Sequence, residues 1–281
     1  MPLLHAIILG IVQGLTEFLP ISSSGHLLVV PWLLDWKDLS DPSVKKAFDV
    51  ALHIGTLAAV LGYFRKELAT YARCGIADGW RYVVRRESPR TADGRIAWFL
   101  VMASVPAALV GALFESWIDD TLGTPTIIAL SLIGFGLVLA WADTRRETRT
   151  LEAMSWRHAA IIGTAQVLAL NPGTSRSGIT ISAGRFLGLD RWSAARFSFL
   201  LSVPVTAGAA LVKVGGLVSD GIPEDLLWPM IVGVLTSAAS GWLAVAGLLR
   251  LIRTSTFTVF VGYRVLLGVS ILVVVAAGWR S

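Results

Sequence analysis

Apolar residues dominate this chain in long runs, and short polar clusters divide those runs into segments. Residues 96–114, 124–142, 192–212, 227–248 and 256–278 are continuous enough to read as membrane-crossing helices. Each is close to the roughly 20 residues that a helix needs to cross the hydrocarbon of a bilayer. Residues 47–64 form a sixth candidate, although they carry Asp49 and His53. Two further segments, 2–30 and 158–188, have apolar arms around a polar knot. The knots are "FLPISSSGHLLVV" at 18–30 and "NPGTSRSGIT" at 171–180. Their Pro, Gly and Ser residues break helices and form turns. Backbone broken at membrane depth is tolerated where it is buried in protein or lines a wet cavity. Each segment is therefore predicted to be a re-entrant helix–loop–helix hairpin.

Loop charge supports this threading. Residues 65–95 carry Arg65, Lys66, Arg73, Arg81, Arg85, Arg86, Arg90 and Arg95. Residues 143–157 carry Arg145, Arg146, Arg149 and Arg157, and residues 249–255 carry Arg250 and Arg253. The stretch 115–123 holds Glu115, Asp119 and Asp120 instead, and 213–226 sets Lys213 against Asp220, Glu224 and Asp225. The positive-inside rule puts the basic loops in the cytoplasm. Residues 31–46 and the C-terminus then lie outside. A full crossing by either knotted segment would reverse the spans that follow. Trp98, Trp117, Trp141, Trp192, Trp228 and Trp279 fall near predicted helix ends, where indole rings favour the interface.

A constant offset aligns Gly10 with Gly163, Gln13 with Gln166, Ser22 with Ser175, Ser24 with Ser177 and Gly25 with Gly178. Residues 1–150 and 151–281 thus read as two repeats of a single membrane domain. Each holds one hairpin and three spans, and an odd span count inverts the second repeat. The expected fold is all-α and polytopic, with six transmembrane helices plus two re-entrant helix–loop–helix hairpins in an inverted-topology repeat. The hairpin tips enter from opposite sides and meet inside the membrane.

Composition agrees. The 281 residues are 54% hydrophobic and 15% charged, with a mean hydropathy of +0.69. Soluble domains carry about 25% charged residues. The net charge of +5 is explained by the cytoplasmic loops, and no nucleic-acid module is present. No removable leader is read at the N-terminus. Cys74 is the single cysteine, which excludes an intrachain disulfide and a cysteine metal cluster.

Between residues 1 and 34, Glu17 is the one side chain certain to be charged at pH 7; between 159 and 184 it is Arg176. Intramembrane charges are functional suspects by default. A structural Glu–Arg clamp between the two halves is the bland alternative. Around Arg176, Gly173 and Gly178 permit tight backbone, Ser175 and Ser177 add hydroxyls, and a helix N-terminus follows. Guanidinium donors with helix-end amides suit a phosphate. The first knot adds the hydroxyls of Ser22, Ser23 and Ser24 and the imidazole of His26. Serine attacks phosphorus when a base takes its proton, and histidine serves as acid, base or nucleophile near neutral pH. Glu17 is suited to orient His26, to act as base, or to bind a divalent cation. Gln13 lies one turn before Glu17 on the same helix face.

Asp49 and His53 are expected around the site rather than in it. Arg264, inside the last span, pairs with an acid or touches a head group, with structural use favoured. Gly233, Ser237 and Gly241 have the small-residue spacing of helix packing. No GxxxxGK[ST] or HExxH motif occurs. "SSSGH" and "SR" superficially resemble the phosphatidic-acid phosphatase signature, but no histidine follows Arg176 to act as its nucleophile.

"QGLTEFLPISSSGHL" (13–27) and "PGTSRSGIT" (172–180) resemble the two signature motifs of the bacterial undecaprenyl-diphosphate phosphatases of the bacitracin-resistance type. Length and span count resemble that family too. The resemblance implies an inner-membrane enzyme that removes the terminal phosphate of undecaprenyl diphosphate. The product is the lipid carrier monophosphate for cell-wall synthesis. It implies a site open to the periplasmic side and a divalent cation, Mg²⁺ or Ca²⁺, at Glu17. By position, Ser23 and His26 are the candidate catalytic pair beside Glu17 and Arg176. Ser175, Ser177 and Thr180 belong to the phosphate-binding set. Gly173, Thr174, Ser22, Ser24 and Gln13 are further substrate-binding candidates. Gln at 13 makes a poor base and a weak metal ligand. Ser23 attack with His26 as base, and direct attack by water with His26 or Glu17 as base, both remain open, as does a homodimer. A polyprenyl-phosphate transporter is the alternative function, since inverted repeats with broken helices are transporter architecture.

Overall fold

A computed structural model describes residues 1–37, 41–87, 91–220 and 224–279. Arg90 lies outside the described residues, as do the side chains of Glu115, Asp119, Asp120, Asp220, Glu224 and Asp225. Among the described residues the chain is all-helical, with only an isolated bridge between Arg149 and Leu189.

The first knotted segment forms α1 (Leu3–Phe18) and α2 (Ser23–Leu34). Then come α3 (Pro42–Tyr63), α4 (Arg65–Arg85), α5 (Ala92–Leu122) and α6 (Pro125–Asp143). The second knotted segment forms α7 (Trp156–Gln166) and α8 (Arg176–Phe186), joined through a 3₁₀ turn at Val167–Leu170. Last are α9 (Arg191–Asp220), α10 (Glu224–Leu251) and α11 (Thr258–Ala276). Local sequence sets several starts. Thr91 caps α5 by accepting from the Gly94 amide, and Thr124 caps α6 by accepting from Ile127 ahead of Pro125. Ser155 opens α7 with a capping box, its own amide donating back to His158 Nδ1 at 3.1 Å.

Five helices are long and apolar enough to cross a membrane: Ala92–Phe114 of α5, Pro125–Asp143, Arg191–Lys213 of α9, Leu226–Leu251 of α10, and Thr258–Ala276. The number is six if Val44–Tyr63 and α4 form one bent span. Only 22–39% of each of the five is buried within the protein. Their outer faces carry Leu235, Leu243 and Leu266, each more than 60% exposed. Leucine in that number on the outside suits lipid and not water. The chain is an integral multi-pass membrane protein.

The sequence expectation differs from the structure at residues 65–95. The stretch read as a basic loop contains the 21-residue helix α4, bent 82° from α3. Its polar and basic content hides it from a hydropathy reading. Glu67 anchors it by accepting from Arg196 Nη2 of α9 at 2.7 Å, and Trp98 of α5 donates to Gly75 O at 3.1 Å. The acidic stretches 115–123 and 213–226 are likewise largely helical, as the ends of α5, α9 and α10.

Small residues let the first hairpin sit deep in the bundle. A Cβ at Gly14 would overlap Ser240 Oγ of α10, and one at Gly55 of α3 would overlap Ser237 Oγ. Ser237 instead donates to Leu52 O at 2.9 Å. The run Gly233, Ser237, Gly241 is therefore a packing seam, the use small residues serve in membranes. Below the knots, Phe18, Phe99, Phe197, Phe199 and Leu200 fill a core shared by α1, α5 and α9. At one end of the bundle, buried Asp143 accepts from Arg191 Nε at 2.6 Å and from the Phe257 amide at 3.0 Å, tying α6 to α9 and α11.

Candidate active site

Both knots are elbows, and they share one local geometry. Ser22 has φ 77° and ψ 97°; Ser175 has φ 74° and ψ 113°. A serine at positive φ is strained and persists where its surroundings hold it. Each serine caps the helix that follows it. Ser22 Oγ accepts from the Gly25 amide at 3.3 Å, and Ser175 Oγ accepts from the Gly178 amide at 3.1 Å. In each elbow the next two amides, of Ser23 and Ser24 and of Arg176 and Ser177, donate to no protein acceptor among the described residues. These are free first-turn donors of the kind that bind anions.

The elbows touch. The Gly173 amide donates to Ser22 Oγ at 3.1 Å, and Ser177 Oγ donates to Leu19 O at 3.0 Å. Gly173 is required at this joint: its φ is 91°, and a Cβ there would come within 2.6 Å of Ile128 O. Arg176 Nη2 donates to Glu17 Oε1 at 3.0 Å, joining the charges of the two motif segments. Arg176 Nη1 donates to Ser198 O at 2.6 Å, which fixes the guanidinium plane. The other carboxylate oxygen, Glu17 Oε2, accepts from Ser23 Oγ at 2.7 Å and from Gln13 Nε2 at 3.2 Å. His53 Nε2 lies 3.8 Å from the same oxygen.

His26 points elsewhere. Its Nδ1 lies 2.6 Å from the Ser22 carbonyl, so Nδ1 carries a proton. Its Nε2 is 2.7 Å from Tyr263 Oη, and in the neutral ring it accepts from that phenol. The two rings stack at 5.6 Å, inclined by 7°. Neither ring nitrogen bonds Ser23. The sequence paired Ser23 with His26 as its base and kept Glu17 as a base for attacking water; the structure sets Glu17 Oε2, not His26, against the Ser23 hydroxyl.

The remaining candidates separate by contact. Ser24 is exposed, 3.4 Å from Ser22 Oγ. Thr174, Ser175, Ser177 and Thr180 are all buried, with hydroxyls engaged by protein. Thr180 Oγ1 donates to Arg176 O at 2.8 Å, Ser175 and Ser177 share a 3.2 Å hydroxyl contact, and Thr174 Oγ1 accepts from Asn171 at 3.1 Å. Their side chains build the elbow. Among the described residues Arg264 pairs with no acid, against one of the two expectations for it; its guanidinium reaches backbone carbonyls. Sequence reading missed Ser198 and Tyr263. Ser198 lies in an apolar span outside both motifs; its carbonyl accepts from Arg176 and its hydroxyl from Thr180 Oγ1 at 2.8 Å. Tyr263 stands beside Arg264 in an otherwise apolar span, and that adjacency was a usable cue.

The profile of the family described as bacitracin resistance protein BacA matches residues 6–270, which contain both elbows. The chain belongs to this family. A BacA-family relative from Geobacter sulfurreducens, named undecaprenyl-diphosphatase, is 48% identical over 274 residues, covering 97% of this chain and 98% of its own. One of the same name from Geobacter metallireducens is 47% identical, covering 96% and 97%. A third so named, from Moorella thermoacetica, is 44% identical and covers 98% of each chain.

A divalent cation has few protein ligands in this BacA-family site. Among the described residues no group of three or more His, Cys, Asp and Glu side chains could hold a metal. Gln13 Oε1 is buried beside Glu17 without a hydrogen-bond partner. One carboxylate and one amide oxygen fit a hard cation that takes the rest of its shell from waters and phosphate oxygens, as Mg²⁺ does.

Proposed function

We propose that this chain is an undecaprenyl-diphosphate phosphatase, a membrane hydrolase that releases the terminal phosphate of a polyprenyl diphosphate and leaves the lipid monophosphate. The observation that carries the reading is the contact Ser23–Glu17–Arg176. It sets a hydroxyl, its proton acceptor and a phosphate-binding cation against one another across the two motif elbows. The names of the full-length relatives support the same substrate.

The mechanism follows from the contacts. The terminal phosphate takes Arg176, together with the free amides of Ser23, Ser24, Arg176 and Ser177. Taking Arg176 removes the cation from Glu17 Oε1 and leaves the carboxylate to accept the Ser23 proton through Oε2. Ser23 Oγ bonds to the terminal phosphorus as the bond to the bridging oxygen breaks. The lipid monophosphate departs with that oxygen. Glu17, now protonated, gives its proton to the departing oxygen or to solvent. It then takes one from the water that attacks phosphoserine; the bond from Ser23 Oγ to phosphorus breaks, Oγ takes that proton from Glu17, and phosphate is released with Ser23 and the Glu17 carboxylate restored. Preorganised donors in a site shielded from water are the largest catalytic term in most such reactions. Glu17 and Gln13 Oε1 would hold a divalent cation, which would supply neutralisation of phosphate oxygens.

The same reading takes α1–α2 and α7–α8 as re-entrant hairpins. At 1.5 Å per residue their arms span only about 16–24 Å, against a hydrocarbon core of about 30 Å. Residues 1–150 and 151–281 are then inverted repeats, a reading supported by the shared cap geometry of Ser22 and Ser175. The arginine-rich loops, read as cytoplasmic, support a site on the outer side of the inner membrane. The test is phosphate release by purified protein from a polyprenyl diphosphate in lipid nanodiscs. Wild type releases phosphate, and Arg176→Ala loses at least about 10²-fold in kcat while remaining folded. Translocation of polyprenyl phosphate across a vesicle with no phosphate release from the diphosphate would favour the transporter instead.

A further inference from the structure

The Glu17–Arg176 pair joins the elbows on one side. On another side they are held from α11. Arg264 is 0% exposed, within an otherwise apolar helix. Its Nε donates to Leu132 O at 3.0 Å, and its Nη1 to Pro20 O at 3.1 Å. Its Nη2 sits 3.3 Å from Ser131 O, 2.9 Å from Gly173 O and 3.0 Å from Thr174 O. Pro20 belongs to the first elbow, Gly173 and Thr174 to the second, and Ser131 and Leu132 to α6. One planar group therefore fastens both elbows and the wall behind them. Two glycines make room for it. A Cβ on Gly178 would stand 2.9 Å from Nη1, and one on Gly136 would stand 3.4 Å from Nε.

The acceptors have a second property. All are neutral carbonyls, and among the described residues no carboxylate comes within 4.0 Å of this guanidinium. Arginine stays protonated in proteins. A neutral amide could bridge carbonyls without burying a charge. An unneutralised cation at membrane depth is costly and marks a place where an anion arrives. Arg176, by contrast, has Glu17 for a counter-ion while no substrate is bound.

We propose that Arg264 is a positioning residue for phosphoryl transfer, an inference that rests on the phosphatase reading. Its fork sets the spacing of the elbows from which Ser23 and Arg176 address one phosphate. Its unneutralised charge raises the affinity of the elbows for the diphosphate head group. The two contributions separate by substitution. Lysine keeps the charge but has no planar fork to reach three segments at once. Glutamine keeps donors but loses the charge.

The experiment measures phosphate release in nanodiscs for wild type, Arg264→Lys, Arg264→Gln and Gly136→Val, with rates scaled to monodisperse, cooperatively melting protein. Gly136→Val pushes on Arg264 from α6, since the three atoms nearest a Cβ there all belong to the Arg264 side chain. Misplacement of reacting groups lowers kcat, whereas loss of uniform binding raises KM. Arg264→Lys is expected to lose at least about tenfold in kcat with KM within about threefold. Arg264→Gln should show the same kcat loss, with KM raised at least about tenfold. Gly136→Val should lower kcat at least about threefold at unchanged KM. A purely structural role would change yield and melting temperature and leave kcat per folded molecule at the wild-type value, which overturns the proposal. Equal KM in the Lys and Gln variants overturns the charge half. If both Arg264 variants aggregate, Gly136→Val decides alone, since wild-type kcat there refutes the spacing claim. Failure of wild type itself to release phosphate would sink the phosphatase reading, and this inference with it.

Discussion

Glu17→Gln changes one atom of the site and separates a proton acceptor from a structural clamp. Glu17 Oε1 takes Arg176 at 3.0 Å, and Oε2 takes Ser23 at 2.7 Å and Gln13 at 3.2 Å. A glutamine oxygen can still accept from Arg176. Its amide nitrogen then faces Ser23 and Gln13 as a donor, so the serine proton has nowhere to go. Loss of a positioned general base costs about 10²–10⁴ in kcat, or about 3–5 kcal/mol of barrier. Substrate binding should respond in the opposite sense. The phosphate no longer competes with a carboxylate for Arg176, so KM holds or falls. The variant also leaves a mostly buried guanidinium without its counter-ion, and a broken buried pair destabilises by about 3–5 kcal/mol. Arg176 is partly exposed, which reduces that figure, so the melting temperature in detergent falls but folding survives. Steady-state phosphate release over a range of polyprenyl diphosphate concentrations reads all three quantities. A kcat within about threefold of wild type would refute Glu17 as the base, as would a raised KM with kcat untouched.

Tyr263→Phe removes the hydrogen bond to His26 Nε2 and keeps the stacked ring. A single such bond is worth about 0.5–1.5 kcal/mol, so phosphate release should fall no more than about tenfold. A loss of 10³-fold or more would show that His26 and Tyr263 are in the chemistry rather than beside it. Gly14→Val places two methyls where Ser240 now packs. Overpacking of this kind costs about 1–3 kcal/mol, and it should appear as a lower melting temperature and reduced yield. A variant that melts like wild type would contradict the close packing of α1 on α10. Chelation with EDTA should slow release, and added Mg²⁺ or Ca²⁺ should restore it. Gln13→Glu, which supplies a second carboxylate beside Glu17, should lower the Mg²⁺ concentration needed for half-maximal rate. An unchanged requirement would take position 13 out of the cation site.

Much of the site was readable because membranes penalise charge. Glu17 and Arg176 stand out in apolar surroundings, and the offset linking Ser22 to Ser175 marks two elbows of one geometry. Five spans were legible from their runs of leucine and valine, which lipid leaves exposed; the sixth, 47–64, has the length and apolarity of a crossing only when Val44–Tyr63 is taken together with α4. Helix α4 was not, since its arginines and glutamate give it the composition of a loop, and its anchors are tertiary contacts such as Glu67 with Arg196 and Gly75 with Trp98. The partner of His26 was hidden for a different reason. Tyr263 is 237 positions away in sequence, and only the packing of α11 against α6 and α2 brings the rings together. In the structure the hydroxyls of Ser175, Ser177 and Thr180 hydrogen-bond within the protein. Their hydroxyls suit phosphate by type, but a buried elbow needs its own amides and carbonyls satisfied first, and these side chains do that.

The central claim is that Ser23 receives the terminal phosphoryl group while the two elbows hold it. Acid quenching after mixing with polyprenyl diphosphate labelled in its terminal phosphate, followed by peptide mapping, measures this directly. Label is expected on the peptide containing Ser23 within the first turnover, and it should be absent in Ser23→Ala together with all phosphate release. Full-rate release by Ser23→Ala, with no labelled peptide in wild type, would contradict the account.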